Sequence, residues 1–253
     1  MALIAGTSTC VMALSDGPRP VPGVWGPYLG AVLPGLWLAE AGQSATGALL
    51  DHIIAWHGAG GVPEADMHRR ICTRIDELRA VEGPHLAGRL HVLPDFHGNR
   101  SPLADPRAVG VVSGLTLDAS FDSLCRLYFR TCVGIALGIR HIVDALDAGG
   151  FRIDTLHVAG GHLKNPLLME LYADAAGCTV VASAAEDAVL LGSAMVAATA
   201  AGLHPDLGAA ATAMDQGGDT RAPDPAAAQR FDVDYGIFLA MHAQRREIDA
   251  MSD

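Results

Sequence analysis

Between residues 121 and 201 the hydrophobic period of the chain switches repeatedly, and that alternation constrains the fold more than any other feature. Phe121, Leu124, Cys125, Tyr128, Cys132, Ile135, Ile139, Ile142 and Leu146 recur at helical spacing, which predicts a helix over 121–146 stopped by Gly149-Gly150. Cys125 and Cys132 then lie on one buried face. A strand over Thr155–Ala159, a glycine-rich turn and a helix over Asn165–Ala176 follow. After them come a strand over Thr179–Ala182 and an almost wholly apolar helix over Asp187–Ala201. Strands alternating with helices in this way predict an α/β fold, a mostly parallel sheet with helices on its faces.

The first half is rich in turns. Ala2–Ala5 and Cys10–Leu14 are expected as strands joined by Gly6-Thr7-Ser8-Thr9, with a third short strand among the glycines and prolines of Val21–Gly35. From Ser44 a helix is expected whose face carries Ala45, Leu49, His52, Ile53 and Trp56. A surface helix over Glu64–Leu78, a loop over Gly83–Leu86, a strand over Leu90–Leu93 and a long irregular segment over Pro94–Thr116 complete it. The predicted order is therefore β-β-β-α, a long insertion, and β-α-β-α. His204–Pro225 is expected as a linker and Ala226–Ile248 as a terminal helix docking through Phe231, Tyr235, Phe238 and Leu239.

Composition narrows the function. Of 253 residues half are apolar and only 18% charged, which excludes a disordered chain; a chain of this length buries roughly three quarters of its unfolded surface. The net charge of −11 argues against nucleic acid or an anionic membrane as partner. Five cysteines form no CxxC pair, so neither a disulfide framework nor a structural zinc site is expected, and the expected setting is cytoplasmic. The N-terminus lacks the basic region of a signal peptide, and the apolar run Ala188–Ala201 falls short of the about 20 residues that span a bilayer.

No P-loop, GxGxxG, HExxH or GxSxG signature is present. The eleven histidines lack ligand spacing; His97 and His162 are taken as loop hydrogen-bonders, and no metal site is expected. Two turns stand out. Gly6-Thr7-Ser8 offers N–H and O–H donors suited to phosphate oxygens, although a plain hairpin turn would use the same residues. At Ala159-Gly160-Gly161-His162-Leu163-Lys164-Asn165-Pro166 a flat ligand could lie on backbone beside a helix N-terminus. Equally, that segment fits a strand–helix turn with Asn165 as N-cap and Pro166 at the first helical position. Lys164, the sole lysine, is expected to face solvent.

Five ordered segments closely resemble the FGGY carbohydrate kinases, nearest their ribulokinase-like branch. They are Ala5–Cys10, Pro22–Tyr28, Glu40–Ala45, Phe96–Pro106 and Ala159–Asn165, followed by the helix Asp187–Ala194. The resemblance covers nearly the whole chain, with Glu64–Gly88 and the stretch after His204 least distinctive. The chain departs from the family at Ala159, often a third glycine, and at Val11, often a histidine. An actin-like, ribonuclease-H-type ATPase lobe is implied: a mixed sheet flanked by helices, forming the C-terminal half of a two-lobed sugar kinase. Residues 1–203 would be that lobe, and 204–253 linker and docking helix.

By the same resemblance Gly6, Thr7 and Ser8 would hold the terminal phosphates of ATP. Gly42 and Thr46 would line the nucleotide site, Gly160, Gly161 and Asn165 would form the adenosine turn, and Glu40 would reach toward the sugar. ATP with Mg²⁺ and a pentulose such as ribulose are the implied ligands. The general-base Asp and most sugar contacts belong to an N-terminal lobe; the first acidic residue here, Asp16, lies past the hairpin, so no catalytic residue is assigned to this chain. Alone, it is expected to be inactive. The alternative is a non-catalytic remnant or partner module that pairs with itself or with a separately encoded lobe. Trp25-Gly26-Pro27-Tyr28 and Asn99-Arg100-Ser101-Pro102 speak against a chaperone-type ATPase lobe.

Overall fold

The computed structural model describes residues 1–252. In chain order the elements are β1 (Ala2–Ala5), β2 (Thr9–Ser15), β3 (Trp25–Leu29), β4 (Trp37–Gln43), α1 (Gly47–Trp56), α2 (Ala65–Glu82), β5 (His91–Leu93), β6 (Val111–Ser113), α3 (Phe121–Ala148), β7 (Thr155–Ala159), α4 (Pro166–Ala176), β8 (Thr179–Ser183), α5 (Ala188–Ala200), α6 (Leu207–Met214), β9 (Gly218–Arg221) and α7 (Pro225–Ser252). Seven strands form one mixed sheet in the order β3-β4-β2-β1-β7-β8-β9, and β5 pairs with β6 separately. β1, β7 and β8 run parallel while the remaining pairs in the large sheet are antiparallel.

The 28-residue helix α3 forms the centre of the helical layer, packing on α1, α2, α4, β4 and β5. Its start is fixed by Ser120, whose hydroxyl accepts from the Ser123 N–H, and Gly149 follows its end. Leu124, Cys125, Tyr128, Cys132, Ile135 and Ile139 are completely buried, so the expected shared face for the two cysteines holds. α4 begins as a capped helix, with the Asn165 side chain accepting from the Leu167 and Leu168 N–H groups, Pro166 in the first turn and Gly177 left-handed at φ 67° after its end.

Four expectations need correction. β4 is a fourth strand where no element was expected; it pairs with β2 over all seven residues, and its pattern is obscured because both faces are covered. On α1 the buried residues are Leu49, Leu50, Ile53 and Ile54, while His52 and Trp56 face outward, so its apolar face is rotated from the expected one. The stretch 204–225 is structured: it holds α6 and β9, and β9 extends the sheet by pairing with β8. In α7, Phe231, Tyr235 and Phe238 are buried as expected, but Leu239 is exposed and Met241 takes the inward place.

A buried ion pair joins α7 to α3. Arg130 and Asp234 are almost fully enclosed; Arg130 Nη2 and Nη1 donate to Asp234 Oδ1 and Oδ2 at 2.7 and 3.0 Å, and Nε donates to the Leu90 carbonyl at 2.6 Å. Removing one partner of such a pair strands a charge in the interior. Asp234→Ala should therefore lower unfolding free energy by about 3–5 kcal/mol, whereas the double change Arg130→Met with Asp234→Leu should recover most of it. Denaturant titration of the three chains checks both outcomes.

Candidate functional site

The carboxyl ends of the parallel strands β1 and β7 lie side by side, where ligands of open α/β sheets bind. β1 runs into Gly6-Thr7-Ser8, and β7 runs into Gly160 and a single 3₁₀ turn over Gly161–Lys164. The two turns touch: a Cβ on Gly161 would stand 3.9 Å from the Gly6 Cα. Gly160 has φ 98°, and a Cβ there would come within 2.6 Å of the Ala5 carbonyl oxygen, so this position requires glycine on both counts. Gly161 is exposed and open, which leaves a bare backbone surface.

The first turn is clamped from beneath. The Gly6 carbonyl accepts from the Gly47 N–H at 2.9 Å, the Thr46 hydroxyl at 3.1 Å and His162 Nε2 at 2.9 Å. The Thr7 carbonyl accepts from the Thr46 and Ala48 N–H groups at 3.0 and 3.1 Å. Donors that would otherwise be orphaned at the start of α1 are thus satisfied by the hairpin tip. Because Thr46 donates to Gly6, it accepts from the Thr9 hydroxyl, 2.9 Å away.

This geometry separates the expected site residues into exposed ones and enclosed supports. Thr7 and Ser8 are exposed at the tip, but the Gly6 N–H is donated to the Ser8 carbonyl at 2.9 Å; Gly6 contributes its bareness and its anchored carbonyl rather than a free donor. Thr46 is wholly buried with its hydroxyl engaged, so it braces the turn from below and does not line an open surface. Asn165 likewise acts as helix cap and donates from Nδ2 to the Tyr128 hydroxyl at 3.2 Å. Lys164 faces solvent.

Gly42 and Glu40 lie on β4, beside β2. Gly42 pairs with Cys10, and a side chain there would collide with the Thr9 carbonyl and crowd Arg100, so its role is close strand packing. Glu40 lies 3.6 Å from Arg100 and 3.6 Å from Cys10 Sγ. Burial, reinforced by Glu40, holds the Cys10 thiol above its ordinary range. The Arg100 guanidinium stacks over Trp25 at 4.5 Å. A cleft of about 760 Å³ opens between Ser8, Trp25, Ser44 and the segment Phe96–Val109. Arg100 and Trp25 stood inside recognised segments without a role; only the fold shows that they face the same cleft as Ser8.

Beneath that segment lies a small polar cavity lined by Gln43, Asp95, Asn99 and His141. Asp95 accepts from Asn99 Nδ2 at 3.0 Å and stands 3.6 Å from His242 Nδ1. Burial pushes the Asp95 carboxyl up to about 6, with Asp105 adding to it and Asn99 opposing. Burial, together with His141 and Arg246, brings His242 down to about 4.

Compared with known proteins, residues 1–201 match the family model for the C-terminal domain of the FGGY family of carbohydrate kinases. This chain belongs to the FGGY family. An FGGY carbohydrate kinase domain-containing protein of Xenopus laevis is 43% identical over 260 residues, covering 99% of this chain and 47% of the relative. A D-ribulokinase of Saccharomyces cerevisiae is 39% identical over 212 residues, covering 79% of this chain and 30% of the relative, in keeping with the ribulokinase-like branch. A xylulose kinase structure from Rhodospirillum rubrum superposes with TM-score 0.76 at 26% identity, over 98% of this chain and 47% of that one. The chain spans about half the length, or less, of the curated relatives it matches. The mixed sheet flanked by helices is the actin-like ATPase fold of the FGGY C-terminal domain.

Two outcomes follow for this FGGY domain. Gly160→Ala should be destabilising by about 1–3 kcal/mol, since it combines strain at positive φ with a clash, while Gly161→Ala should be nearly neutral; thermal melts of the two variants distinguish them. The second concerns pH. Between 3.8 and about 6 the folded state binds a proton on Asp95 that the unfolded chain has released, so this contribution to stability is lost as pH rises through about 6. Between about 4 and 6.5 the unfolded chain protonates His242 while the folded chain does not, so this contribution grows as pH rises. The two oppose each other. Asp95→Asn should expose a stability that climbs from pH 4 to 6.5, and His242→Asn one that declines there, both relative to the parent chain in denaturant titrations.

Proposed function

We propose that this FGGY domain is the nucleotide-binding lobe of an ATP-dependent pentulose kinase acting on a ribulose-like sugar. The observation that carries the reading is the pair of abutting glycine turns at the ends of β1 and β7, one with exposed hydroxyls and one with a bare backbone face. The ATP phosphates would lie over Thr7 and Ser8, with Gly6 leaving room for them, and the adenosine over Gly160 and Gly161. Mg²⁺ enters as counter-ion of those phosphates; among the described residues no three His, Cys, Asp or Glu side chains are grouped to hold a metal.

In the proposed reaction a carboxylate accepts the proton of a terminal sugar hydroxyl. The sugar oxygen forms its bond to the γ-phosphorus as the bond to the bridging oxygen breaks, and ADP leaves. That carboxylate and most sugar contacts are assigned to a complementary lobe, joined to this one or separate. Glu40, which lies 3.6 Å from an Arg100 stacked over Trp25, would approach the sugar from this side. Helix α5 supports a facing lobe: none of its residues is buried, and Val189, Leu190 and Val196 are exposed. A cytoplasmic setting belongs to the same proposal. No helix among the described residues is long and apolar enough to cross a membrane.

Calorimetry and a coupled kinase assay test the reading. The 253-residue chain should bind Mg-ATP weakly and phosphorylate no ribulose without the complementary lobe. Gly161→Val should lower nucleotide affinity about tenfold or more by filling the backbone platform. Affinity unchanged by that substitution, or sugar turnover by the chain alone, counts against it.

A further inference from the structure

His162 occupies a position that neither the family likeness nor the expected site explains. It lies in the second glycine turn, 5% exposed, with both ring nitrogens engaged. Nε2 is 2.9 Å from the Gly6 carbonyl oxygen and Nδ1 is 2.8 Å from the Tyr172 hydroxyl. A carbonyl can only accept, so Nε2 carries the proton. Burial lowers the His162 pKa and favours the neutral ring, which makes Nδ1 the acceptor and the Tyr172 hydroxyl its donor. Tyr172 is itself fully buried on α4, and its ring lies end to end with the imidazole, the planes within 14° and the centroids 6.2 Å apart. The tautomer and the orientation of the ring are therefore set by its two partners.

Of the three donors to the Gly6 carbonyl, Thr46 and Gly47 come from the start of α1; only His162 comes from the other turn. We infer that His162, held by Tyr172, is a positioning residue that locks the phosphate turn to the adenosine turn, so that a ligand spanning both meets them in fixed register. The inference rests on the nucleotide reading for its ligand but not for the link itself. A ligand confined to the second turn would not need the lock, whereas a nucleoside triphosphate would.

The test compares ATP with AMP by calorimetry on the whole chain carrying His162→Leu, His162→Gln or Tyr172→Phe. His162→Leu should weaken ATP binding about fivefold to tenfold, the worth of one buried hydrogen bond, and change AMP binding less than about twofold. Glutamine can donate to the Gly6 carbonyl and should restore ATP binding to within about threefold of the parent. Tyr172→Phe should fall between them. In the nucleotide-free chain, amide exchange of the hairpin residues should speed up in His162→Leu while the central part of α3 is unchanged. Nitrogen-15 spectra of the parent should show a neutral ring protonated at Nε2. Equal weakening of ATP and AMP, unchanged hairpin exchange, or a proton on Nδ1 overturns the inference. If the leucine chain does not fold, Tyr172→Phe gives the comparison, weakening ATP more than AMP, with the glutamine chain as the control that keeps the bond. If the parent binds neither nucleotide, the functional reading fails, and exchange together with the nitrogen spectra still decides the lock.

Discussion

The Gly6 carbonyl is the point on which the rest of the site depends. A backbone oxygen that accepts from a helix N-terminus, a buried threonine and a buried histidine cannot move without breaking three contacts from two directions. An isolated hairpin tip is the softest part of a sheet, because its polar groups can be satisfied by water in many conformations. Here the tip faces water on one side only. Its underside is tied to α1, and α1 in turn buries Leu49, Leu50, Ile53 and Ile54 beside α3. The rigidity of the exposed tip residues, Thr7 and Ser8, is borrowed from the main core.

The same logic explains why so many of the conspicuous residues are supports. Thr46, Asn165 and Gly42 are each engaged or enclosed, and each removes one freedom from a turn or a strand pair. A bare glycine surface can present itself to a ligand only when neighbouring side chains hold the backbone for it. Cleft and cavity follow a similar division. Arg100 and Trp25 line the open side, with Glu40 beside Arg100, while Asp95, Asn99 and His242 lie beneath the segment that carries Arg100.

Much of the fold was legible because periodicity and turn chemistry agree in α3, β7, α4 and β8: a 3.6-residue apolar stripe, paired glycines, an Asn-Pro helix start. β4 was not, since Trp37-Leu38-Ala39-Glu40-Ala41-Gly42-Gln43 is covered on both faces and shows no alternation. β9 was not, because Gly218-Asp219-Thr220-Arg221 is an exposed edge strand with nothing apolar to signal it. In the site, local patterns revealed the two glycine turns but could not show that they touch, or that His162 bridges them, because the bridged residues lie 156 positions apart. The ordered segments resembling the FGGY family pointed to both turns; the division between exposed and supporting residues came only from burial and hydrogen-bond partners.

The match to the family's domain model ends at residue 201, but the physical unit does not. Beyond that point β9 covers the edge of β8 with a short, charged strand, the usual guard against sheet-to-sheet pairing between molecules. α7 brings Phe231, Tyr235 and Phe238 into the core and supplies the carboxylate that neutralises Arg130. A fragment cut where the domain model ends would lose a sheet border, an apolar patch and a buried counter-charge together.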